Sequence, residues 1–157
     1  MASYNSEMNR RLYGAASRLD DAQRRDDRGA FFKSIHGTLN HLLWADQAWM
    51  SRFAGWDKPT APGAQSSELF AAFDDMCAAR TDLDARIEGW TAGLDQAWLD
   101  QDLTFFSGTL QRDVTMPRGL LLTHMFNHQT HHRGQVHAML TAAGEKTGDT
   151  DLPFILP

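Results

Sequence analysis

Residues 117–144 read PRGLLLTHMFNHQTHHRGQVHAMLTAAG, and the spacing of their side chains predicts one long helix. Apolar residues recur at steps of three and four, as they do on one face of an α-helix. Pro117 suits the first position of a helix, and Gly144 suits the residue that follows a helix end. Five of the seven histidines of the chain lie between His124 and His137, inside this helix. They are the strongest functional signal in the sequence.

The same periodicity predicts three earlier helices. The first covers residues 3–22, the second covers residues 28–53, and the third runs from a cap at Ser66 or Ser67 to about Trp90. Four long helices without a large sheet predict an all-α four-helix bundle, in one domain over the whole chain.

The connection before the last helix is less regular. Residues 95–100 fit a single helical turn, and residues 103–116 alternate in polarity around Ser107–Gly108. This alternation predicts a short hairpin or an extended crossover. The tail, residues 151–157, contains two prolines, so we expect it to be non-helical and to cover the open end of the core.

Composition excludes several classes of protein. Fifteen basic and twenty acidic side chains give a net charge of −5, which argues against a general binder of nucleic acid. The single cysteine, Cys77, excludes an internal disulfide and fits a reducing compartment. Residues 1–11 lack the apolar core of a secretory signal, and no apolar run approaches the length of a membrane span. We therefore expect a cytoplasmic protein with no nucleic-acid or membrane partner.

Two of the clustered histidines have the spacing of a metal site. His128 and His132 are four residues apart, so they share a helix face, and the apolar neighbours of that face predict that it points inward. Inward imidazoles need a proton or a metal to satisfy their nitrogens. A third ligand must then come from another helix, where His36 and His41 are available. His41 lies on the border of the apolar stripe and is preferred, although a border histidine bonded to a carbonyl fits the spacing equally well.

Two stretches carry a resemblance to a known family. Residues 39–46, LNHLLWAD, are followed by Trp49, and residues 126–137 read FNHQTHHRGQVH. They resemble the DinB family of the DinB/YfiT-like metalloenzymes, and the resemblance covers most of the chain. It implies a four-helix bundle in an up–down–down–up arrangement, often assembled as a homodimer. It also implies a metal triad that falls on His41, His128 and His132, with zinc or nickel as the ion.

The implied site suggests chemistry on a small-molecule substrate. Three imidazoles leave open positions on a divalent ion, as in catalytic sites, and such ligands also bind iron and manganese. Relatives of the family include transferases and isomerases that use low-molecular-weight thiols, so a thiol cofactor is implied. A metal-dependent hydrolase is a further possibility. The alternatives are a non-catalytic stress-response protein with a structural ion, and a helical dimerisation module with incidental histidines.

No catalytic or cofactor-binding residue is assigned beyond these ligands. Metal-bound histidines usually donate their second N–H to an oxygen. The polar residues near the ligands in sequence are Asn40, Asp46, Asn127, His131 and Gln135. Asp46 could instead be a surface charge or a partner of Arg52, and Gln135 could bond another helix. His124 is predicted to line the pocket or to add a fourth ligand, and the tryptophans Trp44, Trp49 and Trp56 line the pocket or pack in the core.

Overall fold

The computed structural model describes residues 1–155, which are mostly helical and carry one small two-stranded sheet. A bilayer-spanning segment needs an apolar run that none of the helices in this range contains. In chain order the elements are α1 (Ala2–Ala16), α2 (Asp21–Arg25), α3 (Ile35–Phe53), a 3₁₀ helix (Gly63–Glu68), α4 (Phe73–Thr91), α5 (Gln96–Leu99), β1 (Asp102–Ser107), β2 (Arg112–Pro117), α6 (Arg118–Ala142) and α7 (Leu152–Ile155).

The first predicted helix is in fact two helices. The chain leaves α1 at Ser17 and restarts at a capping box, in which the side chains of Asp20 and Gln23 each accept the other's backbone N–H. This reciprocal cap stabilises a new helix start, so the helical period does not continue through it.

The second predicted helix begins at Ile35, later than its apolar spacing indicates. Ser34 caps it by accepting the N–H of Gly37 at 3.0 Å. The residues before the cap form a tight turn, because Arg28 N–H donates to Lys33 O and Lys33 N–H donates to Ala30 O. Lys33 closes this turn in the left-handed region, at φ 65°.

The third predicted helix is divided too. The 3₁₀ helix Gly63–Glu68 precedes α4, which begins only at Phe73. Ser66 does not cap α4, because its hydroxyl lies 2.9 Å from Nδ1 of His41. The long helix α6 agrees with its prediction within a residue at its start, and Gly144 follows its end at φ 89°.

The irregular connection contains the predicted turn and a hairpin. Asp95 caps the single turn α5 by accepting the N–H of Trp98. Strands β1 and β2 pair antiparallel, with Phe105 opposite Val114 and Thr104 opposite Thr115. The hairpin therefore leads directly into the first turn of α6, since β2 ends at Pro117.

The four long helices share one hydrophobic core. Helices α1 and α3 each pack against both α4 and α6. The largest apolar side chains that are almost fully buried are Leu12, Ile35, Leu39, Leu42, Leu43, Met50, Met76, Ile87, Met125 and Leu140. Burial of each such side chain stabilises the folded state by about 1.5–3 kcal/mol relative to leaving it exposed to water.

A buried polar network links the four long helices within this core. Asp46 of α3 accepts from Arg80 of α4 at 2.7 Å and from Gln129 of α6. Arg80 also pairs with Asp84 at 2.7 Å, and Asp84 accepts from Asn9 of α1. The predicted alternatives for Asp46, a surface charge or a partner of Arg52, are wrong because Asp46 points into the core and is 1% exposed.

The tail differs from its prediction. Residues Leu152–Ile155 form one helical turn, which tolerates Pro153 because the first turn of a helix needs no N–H there. Phe154 is 84% exposed and Leu152 is 41% exposed, so these two side chains do not cover the core. The last two residues of the predicted tail, Leu156 and Pro157, lie outside the described residues.

Candidate metal centre

Three histidine rings from two helices meet at one point. His41 extends from α3, and His128 and His132 extend from α6. The Nε2 atoms of His41 and His128 lie 3.3 Å apart, and one ring nitrogen from each residue lies within 4.8 Å of the others. The structure therefore brings together the three residues that the family resemblance implies, in a group that could hold a metal ion.

Two of the rings are oriented by neighbouring oxygens. Ser66 Oγ lies 2.9 Å from Nδ1 of His41, and Nδ1–H of His132 donates to Gln135 Oε1 at 2.8 Å. An amide oxygen only accepts, so Nδ1 of His132 carries the proton and its Nε2 has a free lone pair. Such partners fix the tautomer and the ring orientation of metal-binding histidines.

The electrostatic environment favours neutral imidazoles. Burial, followed by the neighbouring rings of His132 and His128, lowers the pKa of His41 to about 3. Burial and the adjacent histidines also lower the pKa of His128 to about 4, and burial lowers the pKa of His132. The neutral form is the one that binds a metal ion, so all three donors are in the binding form at pH 7.

An aromatic residue that the sequence did not indicate covers the site. The ring of Phe32 stacks on the ring of His41 with centroids 3.8 Å apart, and it lies 5.4 Å from the ring of His132. Gly37 permits this position, because a Cβ atom at Gly37 would lie 2.5 Å from the carbonyl oxygen of Phe32. The tight turn before α3 therefore needs a glycine beneath it in order to bring Phe32 over the histidines.

The remaining histidines lie outside this group. His36 is turned toward the backbone, with Nε2 3.0 Å from Phe70 O, so the structure brings His41 and not His36 to the pair on α6. His124 is exposed, and its ring lies 5.9 Å from the ring of His128. His131 is exposed beside His132, and His137 bonds Thr147 Oγ1 through Nδ1 at 2.8 Å.

Of the predicted oxygen partners, Gln135 bonds a triad histidine, whereas Asn40 and Asn127 do not. Gln135 bonds a triad histidine within its own helix, so the prediction of a bond to another helix is wrong. Asn40 instead holds the backbone of Phe70, accepting its N–H at 2.7 Å. Asn127 is exposed, and Ser66, which sequence reasoning missed as a partner, bonds His41. No periodic signal marks Ser66, because the fold of the 3₁₀ helix against α3 brings it there.

The spacing of the nitrogens fits a divalent ion. Two ligands on a tetrahedral zinc ion, each at about 2.0–2.1 Å, are about 3.3 Å apart. The Nε2 atoms of His41 and His128 lie at this separation. Within residues 1–155 the group contains three donors and no carboxylate, so the protein leaves at least one coordination position for another ligand.

Comparison with known proteins adds the family. The model of the DinB family matches residues 1–156, essentially the whole chain. A search among curated proteins finds no match.

Proposed function

The chain belongs to the DinB family, and from this premise we propose that it is a metal-dependent enzyme in which His41, His128 and His132 hold a divalent ion. The observation that carries the proposal is the convergence of three neutral imidazoles from two helices, with two Nε2 atoms 3.3 Å apart. Zinc or nickel suits three imidazoles, and iron or manganese would bind more weakly or in other geometries. When bound, the ion supplies a Lewis acid that lowers the pKa of a coordinated thiol or water.

The reaction that we propose is the transfer of a group to a low-molecular-weight thiol. The thiol sulfur forms a bond to an electrophilic carbon, the bond from that carbon to the leaving group breaks, and the leaving group departs with the electron pair. The thiol proton passes to water. The residues of the chain contribute by holding the rings in place through Ser66 and Gln135, and by keeping water from one side of His41 through Phe32.

A metal-dependent hydrolase uses the same site with water as the nucleophile. The hydrogen-bonding partners described above serve both reactions, so a turnover assay is needed to distinguish a thiol nucleophile from water. A non-catalytic role, with the ion as a structural cross-link between α3 and α6, is a second candidate because the ligands come from both helices. Against it, structural zinc sites are usually closed by four protein ligands, and the core of this fold joins the helices without the ion.

The first experiment measures metal in protein purified without a histidine tag. We expect about one equivalent of divalent metal per chain in the wild type and a loss of most of it in His128→Gln. His137→Gln is the matched control, since it changes the same residue type on the same helix outside the triad. Metal content that is unchanged in His128→Gln, or absent from the wild type after incubation with zinc and with nickel, contradicts the proposal.

The second experiment measures turnover. The metal-loaded protein is mixed with 1-chloro-2,4-dinitrobenzene and each of several cellular thiols, and release of chloride is followed together with formation of the thioether. We expect at least one thiol to react faster than with the metal-free protein. If no thiol does so while metal still binds, the transferase reaction is wrong, and ester substrates then test hydrolysis. A melting temperature that is unchanged on metal removal in the same samples disfavours the structural role, whereas a fall is expected for any ion that binds the folded protein.

We also propose the finer architecture that the family implies. The long connections between α3 and α4 and between α4 and α6 suit an up–down–down–up four-helix bundle. A homodimer and a cytoplasmic location remain proposals from the family and the composition. Light scattering of the purified protein tests the dimer.

A further inference from the structure

A cavity of about 370 Å³ lies next to the histidine site without including any of the three rings. Its walls come from α3, from the segment that precedes the 3₁₀ helix, and from β1. The side chains that define it are Trp44, Arg52, Lys58, Phe105 and Phe106. Among residues 1–155 no carboxylate lines this cationic cavity, although acidic residues outnumber basic residues in the chain.

Arg52 is the central charge of the cationic cavity. Its guanidinium lies over the ring of Trp49 at 4.6 Å and over the ring of Phe105 at 4.7 Å. Within residues 1–155 it forms no ion pair, unlike Arg80 and Arg86, which pair with aspartates on α4 or α3. These two rings meet edge to face, with centroids 5.7 Å apart, so Arg52 packs into the corner that they form. A planar guanidinium restrained in this way keeps its N–H donors in a fork, which matches the two oxygens of a carboxylate.

Lys58 adds a second positive charge at the rim. It is exposed and also lines a neighbouring cavity, whose acidic residues are Asp57 and Asp82. Its flexible stem reaches either cavity, whereas Arg52 is half-buried and confined by its two rings. Arg52 is therefore the positive charge with a fixed position in the cationic cavity, and Lys58 strengthens the local positive potential.

Tryptophan rings connect the cationic cavity with the histidines. Trp44 lines the cavity, and its ring centroid lies 6.3 Å from that of His41. Its indole N–H donates to Ala61 O at 2.8 Å, which holds the ring in place as a shared wall. On the other side, Trp49 contacts both Arg52 and His124, whose ring lies beside that of His128.

We propose that the cationic cavity binds an organic anion, namely a carboxylate carried on an apolar or aromatic body, with Arg52 as the residue that recognises the carboxylate. The aromatic walls supply apolar contact, and Arg52 supplies charge-assisted hydrogen bonds. The binding itself is independent of the metal. Its assignment as the acidic end of a substrate, whose reactive group reaches the histidines, rests on the proposed function.

Phenylacetate tests this proposal, with phenylacetamide as a neutral ligand of nearly the same shape. The full chain is first used without metal, and binding is measured by calorimetry and by the indole N–H signal of Trp44 in a two-dimensional NMR spectrum. We expect phenylacetate to bind in the millimolar range or tighter and to shift the Trp44 signal. We expect phenylacetamide to bind at least about tenfold more weakly, because it cannot form the charge-assisted pair.

Two variants locate the interaction. Arg52→Gln should weaken phenylacetate binding by at least about tenfold. Arg86→Gln should leave it within about twofold. Arg86 is the matched control because it also lies over a tryptophan, Trp56, at 4.2 Å, but it does not line the cationic cavity. The comparison of acid and amide in the wild type needs no variant, so it remains decisive if Arg52→Gln folds poorly.

Equal affinity for phenylacetate and phenylacetamide, equal affinity in Arg52→Gln and the wild type, or no phenylacetate binding at about 10 mM overturns the proposal. These outcomes are separate from those of the metal proposal. A protein that binds metal but not phenylacetate contradicts the anion site alone, and a protein that binds phenylacetate but not metal contradicts the metal site alone.

Discussion

Nε2 of His41 and Nε2 of His128 lie 3.3 Å apart, although the two residues are 87 positions apart in the chain. Two neutral imidazoles at this distance share at most one proton, and a divalent ion between them would satisfy both lone pairs.

The hydroxyl of Ser66 is predicted to set the metal affinity through the ring of His41. In Ser66→Ala the partner of His41 Nδ1 is lost, so the ring loses one of its restraints and its tautomer is no longer fixed. We expect zinc affinity to fall by about 10–100-fold, as measured by competition with a chromophoric chelator. Ser67→Ala, one residue further on the same 3₁₀ helix, is the control and should bind as the wild type does. Equal affinities in all three proteins would show that Ser66 does not support the site.

The close approach of Phe32 to α3 predicts that alanine is destabilising at Gly37, in contrast to an open glycine position on another helix. Gly37→Ala places a Cβ atom 2.5 Å from the carbonyl oxygen of Phe32, so the turn must shift, and we expect a loss of about 1–3 kcal/mol in the free energy of unfolding. Gly89→Ala, in the exposed part of α4 with no atom within 4 Å of the new Cβ, should increase that free energy by about 0.4–1 kcal/mol. Urea unfolding of the metal-free proteins measures both. A stabilising Gly37→Ala would contradict the packing described for Phe32.

The buried network is predicted to be sensitive to the loss of Arg80, the cation that pairs with both Asp46 and Asp84. Arg80→Met leaves the carboxylates of Asp46 and Asp84 in the core without their positive partner. We expect a loss of about 3–5 kcal/mol in the free energy of unfolding. Arg86→Met removes an exposed arginine from the same helix and should cost less than about 1 kcal/mol. Similar losses in the two variants would show that burial does not govern the contribution of Arg80.

The lowered pKa of His128 predicts how the stability of the metal-free protein depends on pH. The unfolded chain protonates this histidine near pH 6.5, whereas the folded protein does so only near pH 4. Between these values the unfolded state binds more protons, so the stability that is present above pH 6.5 is lost as the pH falls toward 4. His128→Gln removes this contribution, so the wild type should lose more stability than the variant between pH 7.5 and pH 5. Equal losses of unfolding free energy in the wild type and in His128→Gln between these two pH values would contradict the lowered pKa of His128.

Much of the site follows from the sequence because it depends on local periodicity. The spacing of His128 and His132 on α6 places both rings on one face in any straight helix, and the end of α6 just before Gly144 follows from the backbone preference of glycine. The position of His41 on the border of an apolar stripe favours its approach to that face. The hairpin between α5 and α6 follows from its alternating polarity.

The features that the sequence does not predict depend on contacts between distant segments. Ser66 resembles a helix cap, and only the packing of the 3₁₀ helix on α3 turns it toward His41. Residues 28–33 continue the apolar period of α3, yet backbone bonds within them form the turn that carries Phe32. Asp46 reads as a polar residue on the apolar stripe, and its partner Arg80 lies on another helix, 34 residues away.

The central claim is that the rings of His41, His128 and His132 share one divalent ion. A crystal of the protein grown with zinc or nickel, measured on both sides of the absorption edge of that metal, tests it most directly. We predict one anomalous peak within about 2.0–2.1 Å of a nitrogen from each of the three rings. A map with no peak among these rings, or with the metal bound only at other residues, would contradict it.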